Sequence, residues 1–571
     1  MEIIKKIFEI LPKEFKFKIF LIFLSSIVVV LLEVLSIALI LPLVTALINP
    51  QGLSFLNKYF DLENLIVLLN KNEIIIYGVI FFVLIIVIKI IALVFLNIYK
   101  TNFYYKVRIK MTDVLFHKYL NEDYLFHTYT NSSTLITNIH GEISLFVKKI
   151  LAVLSEIFLD IILFLCLLIM LLNIRLNETL IALSAFIIFV LFYYHFVKKK
   201  LDVWGKERQK KDRLKLKHVQ QSLLGIKEVK LYLRELFFEK ILSNIVKKRE
   251  DVSKKMAYIS PLPRYILELG TVLFILIFTI FITSSNKDLT LLLPEFALYF
   301  ASFLRMLPIC IKLINNLQTI KFGSPVVHTL HKEFQREQKI LMHNDKNEIT
   351  FKEKIKFENV SFKYPNKLDY TLKDINLQFQ QGKIIGIIGS TGSGKTTFLN
   401  LLTGLISPTT GKIFSDTTSI INENRNWKKK ISYVTQKTFL TDDTIKNNII
   451  FGDDSEFNNE RFNEALIFSN LEKFIKSLPE GVDTVVGENG TNLSGGQMQR
   501  ISIARALYNS PEIIVFDEAT NSVDESTEKN IINEVFKLRG KCTIFLVTHN
   551  KALTINCDEK YLIDEKKIKK I

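Results

Sequence analysis

Six apolar runs occupy the first half of this 571-residue chain. A helix needs about 20 predominantly apolar residues to cross the hydrocarbon core of a bilayer. The chain is 49% hydrophobic, which is high for a soluble protein. The sequence therefore predicts a membrane domain of six helices, with spans near residues 18–48, 74–98, 145–173, 178–198, 264–284 and 290–316.

Positive charge lies on one side of these runs. Cytoplasmic loops carry an excess of lysine and arginine, and here such residues precede the first run and follow the second and fourth. We therefore expect both termini in the cytoplasm. Residues 1–17 are amphipathic and are predicted to form a helix on the cytoplasmic membrane surface, with a frayed tail as the alternative. No cleavable signal peptide is expected, because the first run is too long and lacks a clear cleavage site.

Two long cytoplasmic connections, 99–144 and 199–263, carry apolar residues among lysines at near-helical spacing. The membrane helices are therefore predicted to continue into the cytoplasm. Turn candidates lie at 121–124 and 224–228, where short transverse helices can press on a cytoplasmic partner domain. The external stretch 49–73 is a candidate for a small amphipathic helix.

The net charge of +17 does not require a nucleic-acid partner. The basic residues cluster beside apolar runs, where they mark the cytoplasmic side of a membrane, so no nucleic-acid binding is expected. The four cysteines have no metal-ligand spacing, which argues against a disulfide frame or a zinc site.

A glycine-rich loop follows the apolar run 384–388 and leads into a helical pattern at 398–402. Its backbone N–H groups and the following helix N-terminus can face phosphate oxygens. Lys395 can reach the β- and γ-phosphates, and the Thr396 hydroxyl can bind magnesium. The loop predicts binding of a nucleoside triphosphate by Gly389, Ser390, Thr391, Gly392, Ser393, Gly394, Lys395, Thr396 and Thr397.

Further candidate residues follow in a fixed order. Tyr364 offers a ring to stack on adenine, and Gln436 ends a short strand. A glycine-rich helix start contains Ser494, Gly495, Gly496 and Gln497, and a buried strand ends in Asp517 and Glu518. Asp524 and His549 complete the set. A carboxylate pair suits phosphoryl chemistry, because one carboxylate helps to hold the metal while the other polarises the attacking water.

This order of motifs resembles the ATP-binding cassette (ABC) transporters over the whole chain. Leu493-Ser494-Gly495-Gly496-Gln497 is the most specific match, and 484–490 is similar to a segment of the exporter subgroup with the type IV fold. The chain departs from the family at 521–524, Asn-Ser-Val-Asp for the usual Ser-Ala-Leu-Asp, and at 548–550, Thr-His-Asn for Ala-His-Arg. Neither departure changes the residue expected to act.

The resemblance implies an α-helical membrane domain of six transmembrane helices extending into the cytoplasm, plus an α/β P-loop ABC ATPase domain. The expected bounds are 1–320 for the membrane domain, 321–350 for a linker and 351–571 for the ATPase domain. Glu518, His549 and Gln436 are the expected catalytic residues, and Thr396, Gln436 and Asp517 the expected magnesium site. The expected cofactors are ATP and Mg²⁺.

In this family, a transporter needs two ATPase domains, and this chain has the motifs of one. The Ser494 loop of one chain closes on the ATP held by another, so two chains are implied. Because no motif is degenerate, a homodimer is expected, and a heterodimer remains the alternative.

Charged residues inside the predicted spans indicate the cargo, since intramembrane charge is costly and marks function. Four cations are candidate substrate ligands for an anionic lipid headgroup: Lys89, Arg264, Arg305 and Lys312. Two simpler interpretations stay open, a local ion pair of Arg264 with Glu268 and a Lys89 that extends to the interface.

The segments 263–268 and 303–308 resemble those of bacterial lipid-linked oligosaccharide flippases of the PglK type, which serve protein glycosylation. The implied function is ATP-driven transfer of a polyprenyl-pyrophosphate-linked glycan across the bacterial inner membrane. The alternatives are an ABC exporter of lipid A, other lipids or drugs, a peptide exporter and an ATP-gated channel or regulator.

Overall fold

A computed structural model describes residues 2–48, 71–174, 176–270, 272, 276, 289–336, 349–420, 425–452, 457–518, 525–549 and 551–571. Two compact units divide the chain. Unit 1 comprises 1–121 and 130–337, and unit 2 comprises 122–129 and 338–571.

Unit 1 is helical because its long apolar runs can satisfy backbone hydrogen bonds internally only as helices in a lipid environment. Its helices are α1 (Glu2–Ile10), α2 (Lys13–Ala38), α3 (Ile40–Ile48), α4 (Lys71–Leu120), α6 (Ser132–Ile136), α7 (Ile143–Leu145), α8 (Ala152–Ile174), α9 (Leu176–Leu224), α10 (Ile226–Leu231), α11 (Glu235–Ile259) and α12 (Leu289–Gln335). Two π-helical turns, Thr137–Glu142 and Phe146–Leu151, flank α7.

Among the described residues, four helical stretches are long and apolar enough to cross a membrane: Lys13–Thr45, Ile75–Leu120, Ser132–Asn173 and Phe300–Gln335. They overlap the first, second, third and sixth predicted spans. The fourth predicted span lies within α9. The fifth, 264–284, runs into residues outside the described ranges, as does the external stretch 49–73.

Several helices continue far beyond the apolar runs, as the lysine-flanked pattern predicted. Helix α4 has 50 residues, α9 has 49 and α12 has 47. At 1.5 Å per residue, each is about twice as long as a bilayer core requires. Helix α12 reaches Gln335, so the first part of the predicted linker 321–350 is helical.

A small apolar core holds the membrane helices of unit 1 together. Val30 and Ile37 of α2 pack against Leu163 and Leu167 of α8 and Ile309 of α12. Many other apolar side chains on these helices face outward, such as Phe95, which is 68% exposed. Outward apolar surface of this kind suits a lipid environment.

Unit 2 is an α/β domain with two sheets. Its strands are β1 (Lys354–Phe362), β2 (Leu372–Gln380), β3 (Ile384–Gly389), β4 (Thr410–Ser415), β5 (Thr418–Ser419), β6 (Ile431–Val434), β7 (Ile513–Asp517), β8 (Thr543–Val547), β9 (Glu559–Asp564) and β10 (Lys567–Lys570). One sheet has the order β10-β9-β3-β8-β7-β6, and the other is antiparallel with the order β2-β1-β4-β5.

The larger sheet is parallel except for β10. Its central strands read as continuous apolar runs because both faces are covered, and all six residues of β3 are buried. The helices of unit 2 are α5 (Tyr124–Tyr129), α13 (Lys395–Leu402), α14 (Arg425–Lys428), α15 (Ile445–Ile450), α16 (Asn459–Phe468), α17 (Glu472–Lys476), α18 (Gly495–Tyr508) and α19 (Glu525–Phe536).

Helix α5 stands apart from its neighbours in sequence. It lies at the first predicted cytoplasmic turn but belongs to unit 2, where Leu125 packs against the apolar core that contains Phe398 and Phe545. The expectation of a short helix at this turn is thus met by the structure. The second turn holds α10.

Candidate active site

Four neighbouring parallel strands end at one edge of the larger sheet, and each is followed by a predicted site residue. Strand β3 leads into the glycine loop, β7 into Glu518, β8 into His549 and β6 into Gln436. Ligands of open α/β sheets bind at the carboxyl ends of the strands. The topology therefore gathers residues that lie more than 150 positions apart in the chain.

Lys395 is at the centre of this cluster, with only 7% of its surface exposed. Its Nζ donates to the carbonyl oxygens of Gly389 at 2.8 Å and Ser390 at 3.3 Å. It also lies 3.5 Å from Oε1 of Glu518 and 3.3 Å from Nε2 of His549. A buried ammonium needs such partners, and the carboxylate of Glu518 supplies the compensating charge.

Glu518 contacts three of the predicted residues. Oε2 accepts a hydrogen bond from Nε2 of Gln436 at 2.7 Å, and Oε1 lies 2.5 Å from Nε2 of His549. Its backbone is left-handed, with φ 51°, a conformation uncommon for a residue other than glycine. Strained backbone of this kind clusters at functional sites, and here it directs the carboxylate toward Lys395.

Asp517 is held by a residue that the sequence did not single out. The hydroxyl of Tyr433 donates to Oδ2 of Asp517 at 2.8 Å. Burial raises the pKa of Asp517, and the charge of Glu518 raises it further. Tyr433 lies in β6, next to β7. This strand pairing brings the Tyr433 hydroxyl to Asp517, and the sequence alone does not show it.

The glycine loop has the geometry of an anion cradle. Gly394 precedes α13 with φ 109°, which an L side chain rarely adopts. The Ser393 hydroxyl oxygen is buried and has no hydrogen-bond partner within the described part of the chain. Backbone N–H groups at the start of α13 and this hydroxyl together fit phosphate oxygens.

The other residues predicted for nucleotide binding flank the loop. Tyr364 is half-buried, packs edge-on against Phe362 and has its hydroxyl 3.1 Å from Oγ1 of Thr397. Thr396 is exposed in the first turn of α13. The tyrosine thus lies beside the start of α13, and its stacking on adenine stays a prediction.

The glycine-rich helix start forms a separate feature. Ser494 caps α18, and it forms a reciprocal capping box with Gln497: the Ser494 N–H donates to Oε1 of Gln497 at 2.8 Å, and the Gln497 N–H donates to the Ser494 hydroxyl at 3.2 Å. Gly495 and Gly496 form the first turn. No hydrogen bond given for the described residues joins this helix start to Lys395. Asp524 lies outside the described residues.

The residues expected to hold magnesium offer oxygen donors, which Mg²⁺ prefers. They are Thr396, Gln436 and Asp517. Over the described ranges, no group of three or more His, Cys, Asp or Glu side chains could hold a metal ion by itself. Mg²⁺ is usually bound by one or two carboxylates together with substrate phosphates and water.

Three of the four intramembrane cations pair with carboxylates from other helices. Glu33 of α2 has Oε1 2.6 Å from Nη2 of Arg305 and Oε2 3.4 Å from Nζ of Lys89. Nζ of Lys312 lies 3.4 Å from both Glu156 and Asp160 of α8. The ion pairs of Lys312 therefore join α12 to α8, and those of Glu33 join α2 to α12 and α4.

Arg264 differs from the other cations. Its Nε lies 2.6 Å from Oε1 of Glu268 on the same helical stretch, and both side chains are about half exposed. The local ion pair that the sequence left as an alternative is confirmed. Lys89, by contrast, pairs with Glu33 and is only 17% exposed, so it does not extend to the interface.

A parallel sheet with a glycine loop, a buried lysine and a paired Asp-Glu at the strand ends defines a P-loop ATPase domain, here in one chain with a helical membrane unit. Two family models agree. The model of the ABC transporter transmembrane region matches residues 19–307, and the ABC transporter model matches 372–521. The chain belongs to the ABC transporters, and its second unit is an ABC ATPase domain that binds ATP.

Curated relatives are lipid flippases by name. The chain is 37% identical over 211 residues to an "ATP-dependent lipid A-core flippase" of Alkalilimnicola ehrlichii, covering 37% of this chain and 36% of the relative. It is 30% identical over 344 residues to the protein of the same name from Haemophilus influenzae strain 86-028NP, covering 59% of this chain and 57% of the relative. The match thus spans about a third of the length of the first of these relatives.

Among solved structures, the chain is similar to a "bacterial Atm1-family ABC exporter with ATP bound". The TM-score is 0.80 at 20% identity, and the match covers 96% of this chain and 94% of the other. The predicted fold class of a helical membrane domain plus a P-loop ATPase domain is confirmed. The predicted ATP hydrolase agrees with the match of the ABC transporter model to residues 372–521.

Proposed function

We propose that this chain is one half of a dimeric, ATP-driven flippase that moves an amphipathic lipid with an anionic headgroup across the bacterial inner membrane. The observation that carries the proposal is the contact of Lys395, Gln436 and His549 with Glu518 at one sheet edge, in a chain with long apolar helices. A binding-only protein has no need of the carboxylate that polarises water.

The lipid A-core class is the first candidate cargo. The names of the curated relatives support it over the lipid-linked oligosaccharide expected from the sequence. The oligosaccharide remains the second candidate, because segments 263–268 and 303–308 resemble those of its flippases. Both candidates are large amphipathic lipids.

In the proposed reaction, Glu518 is the general base that accepts a proton from the attacking water. Gln436 holds one carboxylate oxygen of Glu518, and His549 lies at the other, so the carboxylate is fixed in place. Lys395 stabilises charge on the transferred phosphoryl group. Thr396, Gln436 and Asp517 would hold Mg²⁺, which neutralises negative charge on the phosphates.

Exposed apolar residues around α10 are a candidate contact surface for a second copy of the chain. Helix α10 and the residues after it carry several solvent-exposed apolar side chains. Leu231 is 70% exposed, Leu233 81% and Leu236 80%. Exposed apolar clusters of this kind mark protein contacts. We propose that the partner is a second copy, since the single ATPase domain needs the Ser494 loop of another chain; a heterodimer is the alternative.

The cargo site is proposed to include Lys89, Arg305 and Lys312, with Arg264 as the weakest member because its partner lies on its own helix. The structure changes the expected chemistry of this site. The cations are compensated by Glu33, Glu156 and Asp160, so a lipid phosphate must exchange with a carboxylate. Such exchange favours strongly anionic headgroups over neutral ones.

Reconstituted proteoliposomes test the proposal. Labelled lipid A-core lipid and labelled lipid-linked oligosaccharide are compared for ATP-dependent flipping and for stimulation of ATP hydrolysis. We expect flipping of one of them to stop in Glu518→Gln. If Glu518→Gln flips at the wild-type rate, transport is not driven by ATP at this site.

The double variant Arg305→Ala/Lys312→Ala tests the cargo site. We expect it to keep basal ATP hydrolysis and to lose stimulation by the lipid. A matched control is Lys215→Ala/Lys217→Ala, which removes two exposed cations from the cytoplasmic part of α9. Unchanged stimulation in the first variant would remove these cations from the cargo site.

A further inference from the structure

Most of the net positive charge of the chain lies in one hairpin. Residues 198–264 carry 20 Lys and Arg against 8 Asp and Glu, a surplus of 12 out of the net +17. This segment comprises the cytoplasmic part of α9, then α10 and α11. The charge is not uniform along it, and its membrane-proximal end has a specific arrangement.

At the membrane-proximal end of the hairpin, a hydrogen bond between α9 and α11 shows which residues of the two helices lie opposite each other. The Tyr193 hydroxyl of α9 donates to the carbonyl oxygen of Ile259, the last residue of α11, at 3.0 Å, and accepts from Nε2 of Gln318 at 2.8 Å. Tyr193 and Ile259 therefore lie side by side. Tyr193 is buried among apolar residues, including Val197 and Ile314.

From the Tyr193–Ile259 hydrogen bond, α9 and α11 both extend away from the apolar part of α9, whichever way the chain runs along them. Lys198 is five residues past Tyr193, and Lys254 is five residues before Ile259. At 1.5 Å per residue, each lies about 7–8 Å beyond the hydrogen bond. The two lysines are thus at one height on neighbouring helices. We call Lys198, Lys199, Lys200, Lys254 and Lys255 the proximal lysine patch.

The five lysines of the patch face solvent, and the nearest acidic residues in sequence, Asp202 and Asp251, lie four positions from Lys198 and Lys255. Asp202 already pairs with Lys206 and Lys321. All five lysines are exposed, and no Asp or Glu occurs in 194–201 or 252–258. Within the part of the chain that the structure describes, none of the five lysines lies within ion-pair distance of a carboxylate. Arg264 nearby is already paired with Glu268, so it does not belong to the patch.

Aromatic rings lie beside the lysines on both helices. Nζ of Lys198 is 5.7 Å from the ring centre of Tyr194, and Nζ of Lys254 is 5.6 Å from that of Tyr258. Tyrosine is enriched at the level of lipid headgroups. Toward the membrane, α9 exposes apolar side chains such as Leu191, Phe192 and Phe196, so the lysines stand where the apolar surface ends.

We propose that the proximal lysine patch binds anionic phospholipids of the cytoplasmic leaflet, independently of the transported lipid. Clusters of four or more lysines immediately cytoplasmic of a membrane helix attract anionic lipid surfaces. The attraction decays within a Debye length, about 8 Å at physiological salt. The patch lies within that reach, because the fourth predicted span ends at residue 198.

The same helices supply a matched control. Lys210, Lys211, Lys215, Lys217 and Lys240 are also lysines of α9 and α11, and none has an ion pair given within the described part of the chain. They lie about 25–36 Å from the Tyr193–Ile259 level, several Debye lengths away. A fivefold lysine-to-glutamine variant of either set removes the same charge.

The test uses the full chain in phosphatidylcholine vesicles without any glycolipid. Electron spin resonance with spin-labelled phosphatidylglycerol and spin-labelled phosphatidylcholine gives the relative association constant of the anionic lipid. Each lysine near an anionic surface contributes about fivefold in affinity. We therefore expect clear selectivity for phosphatidylglycerol in the wild type and in the distal variant, and a ratio near one in the proximal variant.

Three results would overturn the proposal: no selectivity in the wild type, equal loss in both variants, or full selectivity in the proximal variant. A further arm adds unlabelled lipid A-core lipid. If a small amount of it displaces phosphatidylglycerol from the patch, the patch serves the cargo, and the proposal of a phospholipid site fails. The measurement needs neither ATP nor transport, so its outcome is separate from that of the proposed function.

Discussion

Nζ of Lys395 lies 3.5 Å from Oε1 of Glu518, and both side chains are about nine-tenths buried. The same carboxylate oxygen contacts Nε2 of His549. The residue expected to bind phosphate and the residue expected to polarise water are therefore direct ion-pair partners. A phosphate oxygen that approaches Lys395 competes with Glu518, so nucleotide binding and release of the carboxylate are linked events.

Replacing Glu518 by glutamine should separate binding from hydrolysis. We expect hydrolysis to fall by about 10²- to 10⁴-fold, the usual contribution of a general base. ATP binding should be kept or strengthened, because glutamine competes less well for Lys395. Turnover and binding of a fluorescent ATP analogue are the measurements. Glu512→Gln is the control, since Glu512 pairs with Lys430 instead; a loss of less than tenfold in Glu518→Gln would contradict the assigned role.

Asp517→Asn should stabilise the protein in the absence of nucleotide while impairing hydrolysis. Burial raises the pKa of Asp517 above its ordinary 3.8, so the unfolded chain ionises first and the carboxylate costs stability above that pH. Asparagine removes this cost and can still accept from Tyr433. Thermal unfolding from pH 3 to 7 should show a variant that is more stable at pH 7, with a difference that disappears below pH 3.8. A variant less stable at pH 7 would contradict this.

Asp416 should stabilise unit 2 above pH 4. Burial alone would raise its pKa, but hydrogen bonds from the backbone N–H groups of Lys354, Lys352 and Glu353 outweigh burial and lower it. Stability from this group is present above 3.8 and is lost as the pH falls through the lower folded pKa. Asp416→Ala should cost about 1–2 kcal/mol at pH 7, measured by denaturant unfolding.

Asp416→Asn is the control for that change, because it keeps one oxygen acceptor and tolerates the left-handed backbone at φ 49°. We expect it to lose less stability than Asp416→Ala. Equal losses at pH 3 and pH 7 would show that the carboxylate charge has no part in the effect.

The contact between α9 and α12 depends on Gly205. A Cβ atom there would lie 2.2 Å from the carbonyl oxygen of Phe322. Gly205→Ala must therefore push the helices apart, at about 1–3 kcal/mol. Gly270→Ala is the matched control, since a Cβ there meets nothing within 4 Å. Thermal unfolding of both variants in detergent is the measurement, and equal stability would contradict the close approach.

Glu33→Gln should tighten binding of the anionic cargo. It removes the carboxylate that compensates Arg305 and Lys89, so a lipid phosphate no longer has to displace it. The lipid concentration for half-maximal stimulation of hydrolysis should fall severalfold. Glu14→Gln is the control, because Glu14 pairs with Lys110 at an exposed site, where ion pairs contribute about 0–1 kcal/mol. An unchanged half-maximal concentration would indicate that Glu33 does not compete with the cargo.

The side chains that gather around Glu518 could be picked out from the sequence because each motif is local. A glycine loop or an Asp-Glu pair needs only its neighbours to be recognised, and the parallel sheet then brings the strand ends together. Tyr433 escaped because its role depends on which strand lies beside β7. The fold class followed from the apolar runs for the same local reason.

The membrane charges were harder to interpret from sequence. Glu33 and Arg305 are 272 positions apart, and their pairing depends on how α2 and α12 pack. Periodicity places a side chain on a helix face but does not say which helix that face meets. The sequence therefore indicated charged residues of both signs within the spans, but it did not show which carboxylate pairs with which cation.

Helix α5 makes the ATPase domain discontinuous in the gene. Its residues 122–129 are encoded in the middle of the membrane half, yet Leu125 completes the core that includes Phe398. An ATPase fragment that begins at residue 338 therefore lacks α5, which belongs to the same compact unit. In the same way, a chimera that exchanges only the membrane half with a homologue would carry a foreign α5, and compatibility of that single short helix would limit which exchanges fold.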